Sequence, residues 1–162
     1  MNPIAFTKVS LPFGWLGNMS PHSVTWNDLT WKTAEALFQA RRFAPDDPII
    51  EVIRAQSSPM GAKMKSKTAA SRRVIVPLSA EDVALMREVV SLKLAQHPEL
   101  LGMLLSTTGR DLIEDCSKRA RGSGLFWGAA LQADGTWKGD NALGKILMEL
   151  RDRSVHFLIS LR

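Results

Sequence analysis

Residues 30–43 have the sequence TWKTAEALFQARRF, which is the pattern of a short helix. Thr33 is a favoured N-cap type at its start. On a helix that turns about 100° per residue, Glu35, Gln39 and Arg42 fall within about 60° of one another. Alanine, leucine and phenylalanine cover most of the other sides. The polar stripe is either the solvent face of an amphipathic helix or one wall of a polar pocket, and this stretch alone favours the solvent face.

The other elements predict a helix-rich α+β domain with a few short strands, because they do not alternate as β-α-β. Asp47 and Ser58 mark two helix starts. Ser79 together with Asp82 marks a third, and this pair resembles a capping box. We expect helices at residues 34–43, 48–56, 59–65, 80–96, 98–109 and 142–153. We expect short strands at residues 4–9, within 23–31 and at 111–114, and a loop-like segment at 117–141. The apolar tail at 155–161 is expected to form a strand or to continue the last helix.

The composition is that of a soluble globular protein, with 45% apolar and 23% charged residues. No apolar run approaches the roughly 18 residues that a membrane span requires. The first residues lack the pattern of a secretory signal, and Cys116 is the single cysteine, so no internal disulfide can form. These features predict a cytoplasmic protein that does not contact membranes.

The net charge of +5 favours anionic partners such as nucleic acid or phosphate-bearing metabolites. The three histidines, His22, His97 and His156, are far apart and have no neighbours at metal-ligand spacing. A zinc site is therefore not expected. There is also no glycine-rich phosphate loop, and we expect no metal or redox cofactor. The oligomeric state is left open by the sequence.

Six motifs occur in an order that resembles the NADAR family, named for its association with NAD and ADP-ribose. They are PFGWLGNMSP, TWKTAEALFQARRF, SSPMGAK, LLSTTGRDLIE, FWG and GDNALGKILMELR. The resemblance covers roughly residues 13–151, and it implies one NADAR-like domain over residues 1–162. The family includes N-glycosidases that act on early riboflavin-pathway intermediates and hydrolases that remove ADP-ribose from guanine in DNA. The implied ligand is ADP-ribose or a phosphoribosyl compound.

The resemblance also implies site residues. It makes Glu35 a catalytic carboxylate that stabilises an oxocarbenium-like transition state. It makes Lys63 a second catalytic residue, which binds a phosphate or hydroxyl or acts as an amine nucleophile through a Schiff base. The implied ligand-binding residues are Asn18, Gln39, Arg42, Trp127, Gly128, Asn141 and Gly144. The alternatives are a turn role for Asn18, a solvated Lys63, a core Trp127 and a helix cap at Asn141.

The chain departs from the family pattern at several positions, including an absent tryptophan before the long helix and a longer, more basic segment CSKRARGSG. Ala36 replaces a histidine, Gly124 replaces an aspartate and Ala129 replaces an acidic residue. These changes favour either an altered substrate or weakened catalysis. The competing functional class is a protein that binds ADP-ribose-like ligands without turning them over.

Two basic stretches bear on the substrate. Residues 63–73, KMKSKTAASRR, contain five lysines or arginines and no acidic residue, and residues 118–121 are KRAR. We expect Arg72, Arg73, Lys118 and Arg119 to contact nucleic acid. These stretches favour an ADP-ribosyl group on guanine in nucleic acid as the substrate. The alternative substrate is a free riboflavin intermediate, and in that case the basic residues would be solvated loop charges.

Overall fold

The computed structural model describes residues 2–160, and within them the helix-rich α+β class is confirmed. The helices are α1 (Ala34–Ala40), α2 (Ile49–Arg54), α3 (Pro59–Thr68), α4 (Ala80–Gln96), α5 (Pro98–Leu105), α6 (Ser123–Trp127) and α7 (Ala142–Ser160). The strands are β1 (Ile4–Phe6), β2 (Val24–Trp26), β3 (Leu29–Trp31), β4 (Leu112–Glu114), β5 (Ala130–Leu131) and β6 (Trp137–Lys138). No helix in the described range combines the length and apolarity that a membrane crossing needs.

The chain divides into two compact units, one formed by Asn18–Gln96 and the other by the two flanking segments together. The prediction of a single domain over residues 1–162 stays a prediction.

In the unit of residues 18–96, α1 packs against α2, α3 and α4. Side chains such as Trp31, Leu37 and Ile53 are fully buried there and form its core. The strands β2 and β3 pair as an antiparallel hairpin. Its two turn residues, Asn27 and Asp28, both have positive φ, which asparagine and aspartate tolerate better than most residues.

The helix starts of this unit follow the cap residues seen in the sequence. The Thr33 hydroxyl accepts a hydrogen bond from the Ala36 N–H, and the Ser58 hydroxyl accepts one from Gly61. The Ser79 hydroxyl accepts one from Asp82 N–H. Each contact satisfies a backbone donor that a helix start leaves unpaired.

The other unit is built on a parallel pair of strands, β1 and β4, in which Ile4 is opposite Leu112. The helix α7 packs against β4 and α5, and α6 packs against α7. Leu104, Leu112 and Leu143 are among its fully buried residues. This arrangement places the carboxyl end of β4 beside the start of α7, where several of the expected site residues lie.

Several element predictions were wrong in detail. Two strands and a tight turn occupy residues 23–31, where one strand was expected. Residues 117–141 contain a short helix, α6, and a small hairpin of β5 and β6 where a loop was expected. α1 and α5 end before the predicted residues, because backbone turns replace their last helical turns. α7 continues to Ser160, so the helical alternative for the tail is confirmed, and residue 161 lies outside the described residues.

Candidate functional site

Glu35 lies in the first turn of α1, and every residue of that helix is buried. Glu35 is only 7% exposed to solvent, and Gln39 and Arg42 are also buried. The polar stripe is therefore not the solvent face of α1, and the interpretation that the helix alone favoured is wrong. A carboxylate is rarely buried to this degree without polar partners.

The polar partners of Glu35 form a continuous chain of hydrogen bonds. Gln39 Nε2 donates to Glu35 Oε1 at 2.8 Å, and Arg42 Nη1 donates to Gln39 Oε1 at 3.3 Å. Arg42 Nε and Nη2 then donate to the two oxygens of Asp82 at 2.8 and 2.5 Å. The chain thus links the start of α1 to a fully buried carboxylate on α4.

Asn18 lies directly beside this helix start. Its carbonyl oxygen accepts a hydrogen bond from Glu35 N–H at 3.0 Å. Its side chain is buried, with Nδ2 2.7 Å from the Met86 sulfur, and Oδ1 has no partner among residues 2–160. Either orientation of the amide leaves one polar atom unsatisfied within the described residues, which is compatible with a ligand contact. The ligand role of Asn18 stays a prediction.

A second buried charge on α4 contacts the loop of residues 18–22, which contains Asn18. Lys93 Nζ donates to the Ser20 hydroxyl at 2.7 Å, and the Ser20 oxygen also contacts His22 Nδ1. Burial lowers the pKa of Lys93 from 10.5 to about 7. Asp82, Met86 and Lys93 recur at helical spacing on α4, so one face of this helix contacts both α1 and the 18–22 loop.

Asp82 and Lys93 were not among the expected site residues. Asp82 was interpreted only as part of a capping box, and Lys93 was not singled out at all. A sequence pattern was nevertheless available, because both residues follow the helical period of Met86 and Val90 on the apolar side of α4. A charge at an apolar position of a long helix indicates a buried charge with a specific partner.

Lys63 lies on α3, which packs against α1. The residue is half-buried, and within the described chain its ammonium group makes no hydrogen bond or ion pair. This placement agrees with a ligand contact but does not distinguish it from a solvated lysine, so the catalytic assignment of Lys63 stays a prediction.

The arginines of the first basic stretch have protein partners. Arg72 is paired with both oxygens of Asp47, at 2.9 and 3.0 Å. Arg73 donates to the buried Ser66 hydroxyl at 2.9 Å, and burial, together with the nearby Arg42, lowers the Arg73 pKa. The ion pair with Asp47 reduces the charge that Arg72 offers to a phosphate backbone, whereas Ser66 is neutral and only orients Arg73.

The remaining expected site residues belong to the other unit. Trp127 ends α6 half-buried, with its ring 5.0 Å from that of Phe126 in an edge-to-face arrangement. Lys118 and Arg119 are exposed in a short 3-10 turn that precedes α6. The ligand role of Trp127 and the nucleic-acid role of Lys118 and Arg119 stay predictions.

Asn141 and two glycines of this unit pack against the backbone of β4. Asn141 Oδ1 accepts from Glu114 N–H at 3.1 Å and Nδ2 donates to Leu112 O at 2.8 Å, so its amide joins β4 and does not cap α7. A Cβ on Gly128 would collide with the Glu114 carbonyl oxygen, and one on Gly144 with the Leu112 carbonyl oxygen. Close packing explains all three residue types, and their ligand roles stay predictions.

Two of the departures from the family pattern have local explanations. A Cβ on Gly124 would lie 2.8 Å from the Arg119 carbonyl oxygen, so this loop leaves no room for an aspartate. Ala129 is buried, so an acidic side chain on this backbone would begin from a position shielded from solvent. Ala36 is buried in the first turn of α1.

Comparison with known proteins identifies relatives of the whole chain. The chain is 34% identical over 151 residues to the N-glycosidase YbiA of Escherichia coli, an alignment that covers 93% of this chain and 87% of YbiA. It is 31% identical to an N-glycosidase of Nostoc punctiforme, over 98% of this chain and 96% of the relative. It is also 32% identical to the maize chloroplastic riboflavin biosynthesis protein PYRR, of which it spans only 25%.

A solved structure and a family model agree with these relatives. The NMR structure of E. coli YbiA superposes with a TM-score of 0.79 and 31% identity, over 98% of this chain and 88% of that one. The prediction that the chain is an N-glycosidase enzyme is thereby confirmed at the level of the activity class. The NADAR domain model matches residues 5–154, and the chain therefore belongs to the NADAR family.

Proposed function

We propose that the chain hydrolyses an N-glycosidic bond of a phosphate-bearing riboside, with Glu35 as the catalytic carboxylate. The observation that supports this most is the burial of Glu35 at the start of α1, where its N–H donates to the carbonyl oxygen of Asn18. A shielded carboxylate can stabilise the positive charge of a cationic sugar transition state, and the unsatisfied side-chain oxygen of Asn18 could bind a polar ligand atom.

The reaction breaks the bond between C1′ of the ribose and the nitrogen of the base, and water forms the new bond to C1′. Positive charge builds on the ribose ring as the base leaves, and the Glu35 carboxylate stabilises it. One oxygen of Glu35 accepts from Gln39, whereas no group within residues 2–160 donates to Oε2. That oxygen can orient the attacking water and take its proton, while the leaving nitrogen gains a proton.

Lys63 fits one of two roles in this scheme. As an ammonium group it would bind a phosphate or a ribose hydroxyl near α1. As a neutral amine it would attack C1′ and form a Schiff base that water later hydrolyses. We favour the binding role, because no described contact of Lys63 marks it as a nucleophile.

For the substrate we favour a ribosylaminopyrimidine phosphate of the riboflavin pathway. The name of the maize relative supports this choice. The pairing of Arg72 with Asp47 also removes part of the charge that favoured nucleic acid from sequence. ADP-ribose on guanine in nucleic acid is the second candidate, because Lys118 and Arg119 remain exposed. The cytoplasmic location expected from the sequence stays a prediction.

The test is a turnover assay with both substrate classes. Purified protein is incubated with a ribosylaminopyrimidine phosphate and, separately, with DNA that contains ADP-ribosylated guanine, and the products are separated by chromatography. We expect release of the free base and ribose 5-phosphate from the first, at least tenfold faster than release of ADP-ribose from the second. The opposite ratio would establish the second candidate, and no cleavage of either would contradict the proposed activity.

A further inference from the structure

We propose that Asp82 positions the catalytic Glu35 through Arg42 and Gln39, and that these three residues do not bind the ligand. This inference rests on the proposed function and adds the residues that hold its catalytic group. It changes the sequence-based assignment of Gln39 and Arg42, which were expected to contact the ligand.

The guanidinium of Arg42 is already occupied. Nε and Nη2 donate to Asp82 as a bidentate pair, and Nη1 donates to Gln39. The Arg42 guanidinium carbon also lies 4.2 Å from the centre of the Phe38 ring, over its face. All three guanidinium nitrogens of Arg42 donate to protein groups, one face is stacked, and only 6% of the residue is exposed. Arg42 therefore has little donor capacity or accessible surface for a ligand phosphate.

Arg42 in turn fixes the orientation of the Gln39 amide. An arginine can only donate, so the group of Gln39 that faces it must be the carbonyl oxygen. The NH₂ group of Gln39 then faces Glu35, as the 2.8 Å contact shows. This hydrogen bond fixes one oxygen of Glu35, so the other oxygen points in a defined direction.

Asp82 is held as firmly as the groups it orients. It is fully buried at the start of α4, where Oδ2 accepts a further hydrogen bond from Leu78 N–H at 2.8 Å. Its own N–H donates to the Ser79 hydroxyl. The order of positioning is therefore from α4 to α1: Asp82 sets Arg42, Arg42 sets Gln39, and Gln39 sets Glu35.

The decisive variant is Gln39→Glu. A glutamate at position 39 keeps the shape and accepts from Arg42 more strongly, but when ionised it cannot donate to Glu35 and places a second carboxylate beside it. We expect the folded protein to be less stable than the wild type, with kcat for the substrate of the turnover assay at least tenfold lower and KM changed less than twofold. Gln39→Met, which removes the amide without adding charge, should lower kcat in the same way.

Asp82→Asn tests the far end of the chain. We expect it to lower kcat, and the double variant with Gln39→Met should be no worse than the more damaged of the two single variants, because both act through the same group. Neither change should lower the residual turnover of a Glu35→Gln protein. If Asp82→Asn does not fold, the two Gln39 variants decide the matter alone. The exposed Glu51→Gln is the matched control.

Two results would overturn the inference. A raised KM with kcat unchanged would mean that Gln39 binds ligand, and additive effects of Gln39→Met and Asp82→Asn would mean that they act separately. A folded Gln39→Glu protein with wild-type kcat, combined with an inactive Glu35→Gln protein, would remove the positioning role and leave the proposed function intact. If Glu35→Gln is itself fully active, the proposed function is the one that fails.

Discussion

Asp82 and Lys93 are charged residues that α4 buries completely or nearly so, and each contacts a polar side chain of another segment. Asp82 is neutralised by Arg42 in a bidentate pair. Lys93 donates to a neutral hydroxyl, that of Ser20. Burial removes the hydration that stabilises the charged ammonium form, and this is why the Lys93 pKa falls.

The lowered pKa of Lys93 makes stability depend on pH in a defined direction. Between about pH 7, the folded value, and 10.5, the ordinary value, the unfolded chain binds more protons at this residue than the folded protein does. The free energy of unfolding therefore rises with pH across that window and is flat below it. Relative to Lys93→Met, the wild-type protein should gain about 1 kcal/mol per pH unit from pH 7.5 to 9.5.

Urea unfolding at several pH values measures this difference. The exposed Lys65→Met is the matched control, and its stability should run parallel to that of the wild-type protein. If Lys93→Met also runs parallel to the wild type, Lys93 keeps an ordinary pKa in the folded protein and the stated effect of burial is wrong.

Single-residue predictions from sequence succeeded where local chemistry decides and failed where tertiary packing decides. The helix pattern placed Glu35, Gln39 and Arg42 on one stripe, and the structure connects those three side chains. The burial of the stripe depends on α2, α3 and α4, which come from later parts of the chain. No pattern within residues 30–43 contains that information.

At the level of elements, Asn141 joins β4 to the start of α7 through both atoms of its amide. Asn141→Ala leaves Leu112 O and Glu114 N–H without this partner. We expect a loss of about 2 to 6 kcal/mol in the free energy of unfolding, since each of the two deprived backbone groups costs about 1 to 3 kcal/mol. Thermal or urea unfolding measures the loss.

The Asn141→Gly variant separates the two contributions at this position. Asn141 has a positive φ, which glycine adopts without strain and alanine does not. Asn141→Gly should therefore be more stable than Asn141→Ala and still clearly less stable than the wild type. A folded Asn141→Gly protein of full stability and weakened substrate binding would instead show that the amide serves the ligand.

Secondary-structure predictions likewise succeeded where contacts are local and failed where distant segments pair. Thr33, Ser58 and Ser79 mark helix starts by contacts within three residues, and those starts were predictable. The turn at residues 27–28 and the hairpin of β5 and β6 were missed, because strands of two or three residues have too little periodicity to be recognised. The parallel pairing of β1 with β4 joins distant segments, which no local pattern indicates.

For the whole molecule, the net charge of +5 proved a weaker guide than the individual pairings. Arg72 and Arg73 are engaged by Asp47 and Ser66, so the first basic stretch is partly neutralised within the fold. The family resemblance and the enzyme class were predictable because they depend on motif order along nearly the entire chain. The substrate was not predictable, since it depends on which polar atoms around Glu35 have no protein partner and can bind a ligand.

The central claim is that the buried carboxyl group of Glu35 performs the chemistry. The most direct measurement is kcat for Glu35→Gln beside the matched exposed change Glu51→Gln. The account predicts that Glu35→Gln folds normally and loses about 100- to 1,000-fold in kcat, because an amide cannot stabilise a developing cation as a carboxylate does. Glu51→Gln should stay within twofold of the wild type. A folded Glu35→Gln protein with turnover close to that of the wild type would contradict the claim.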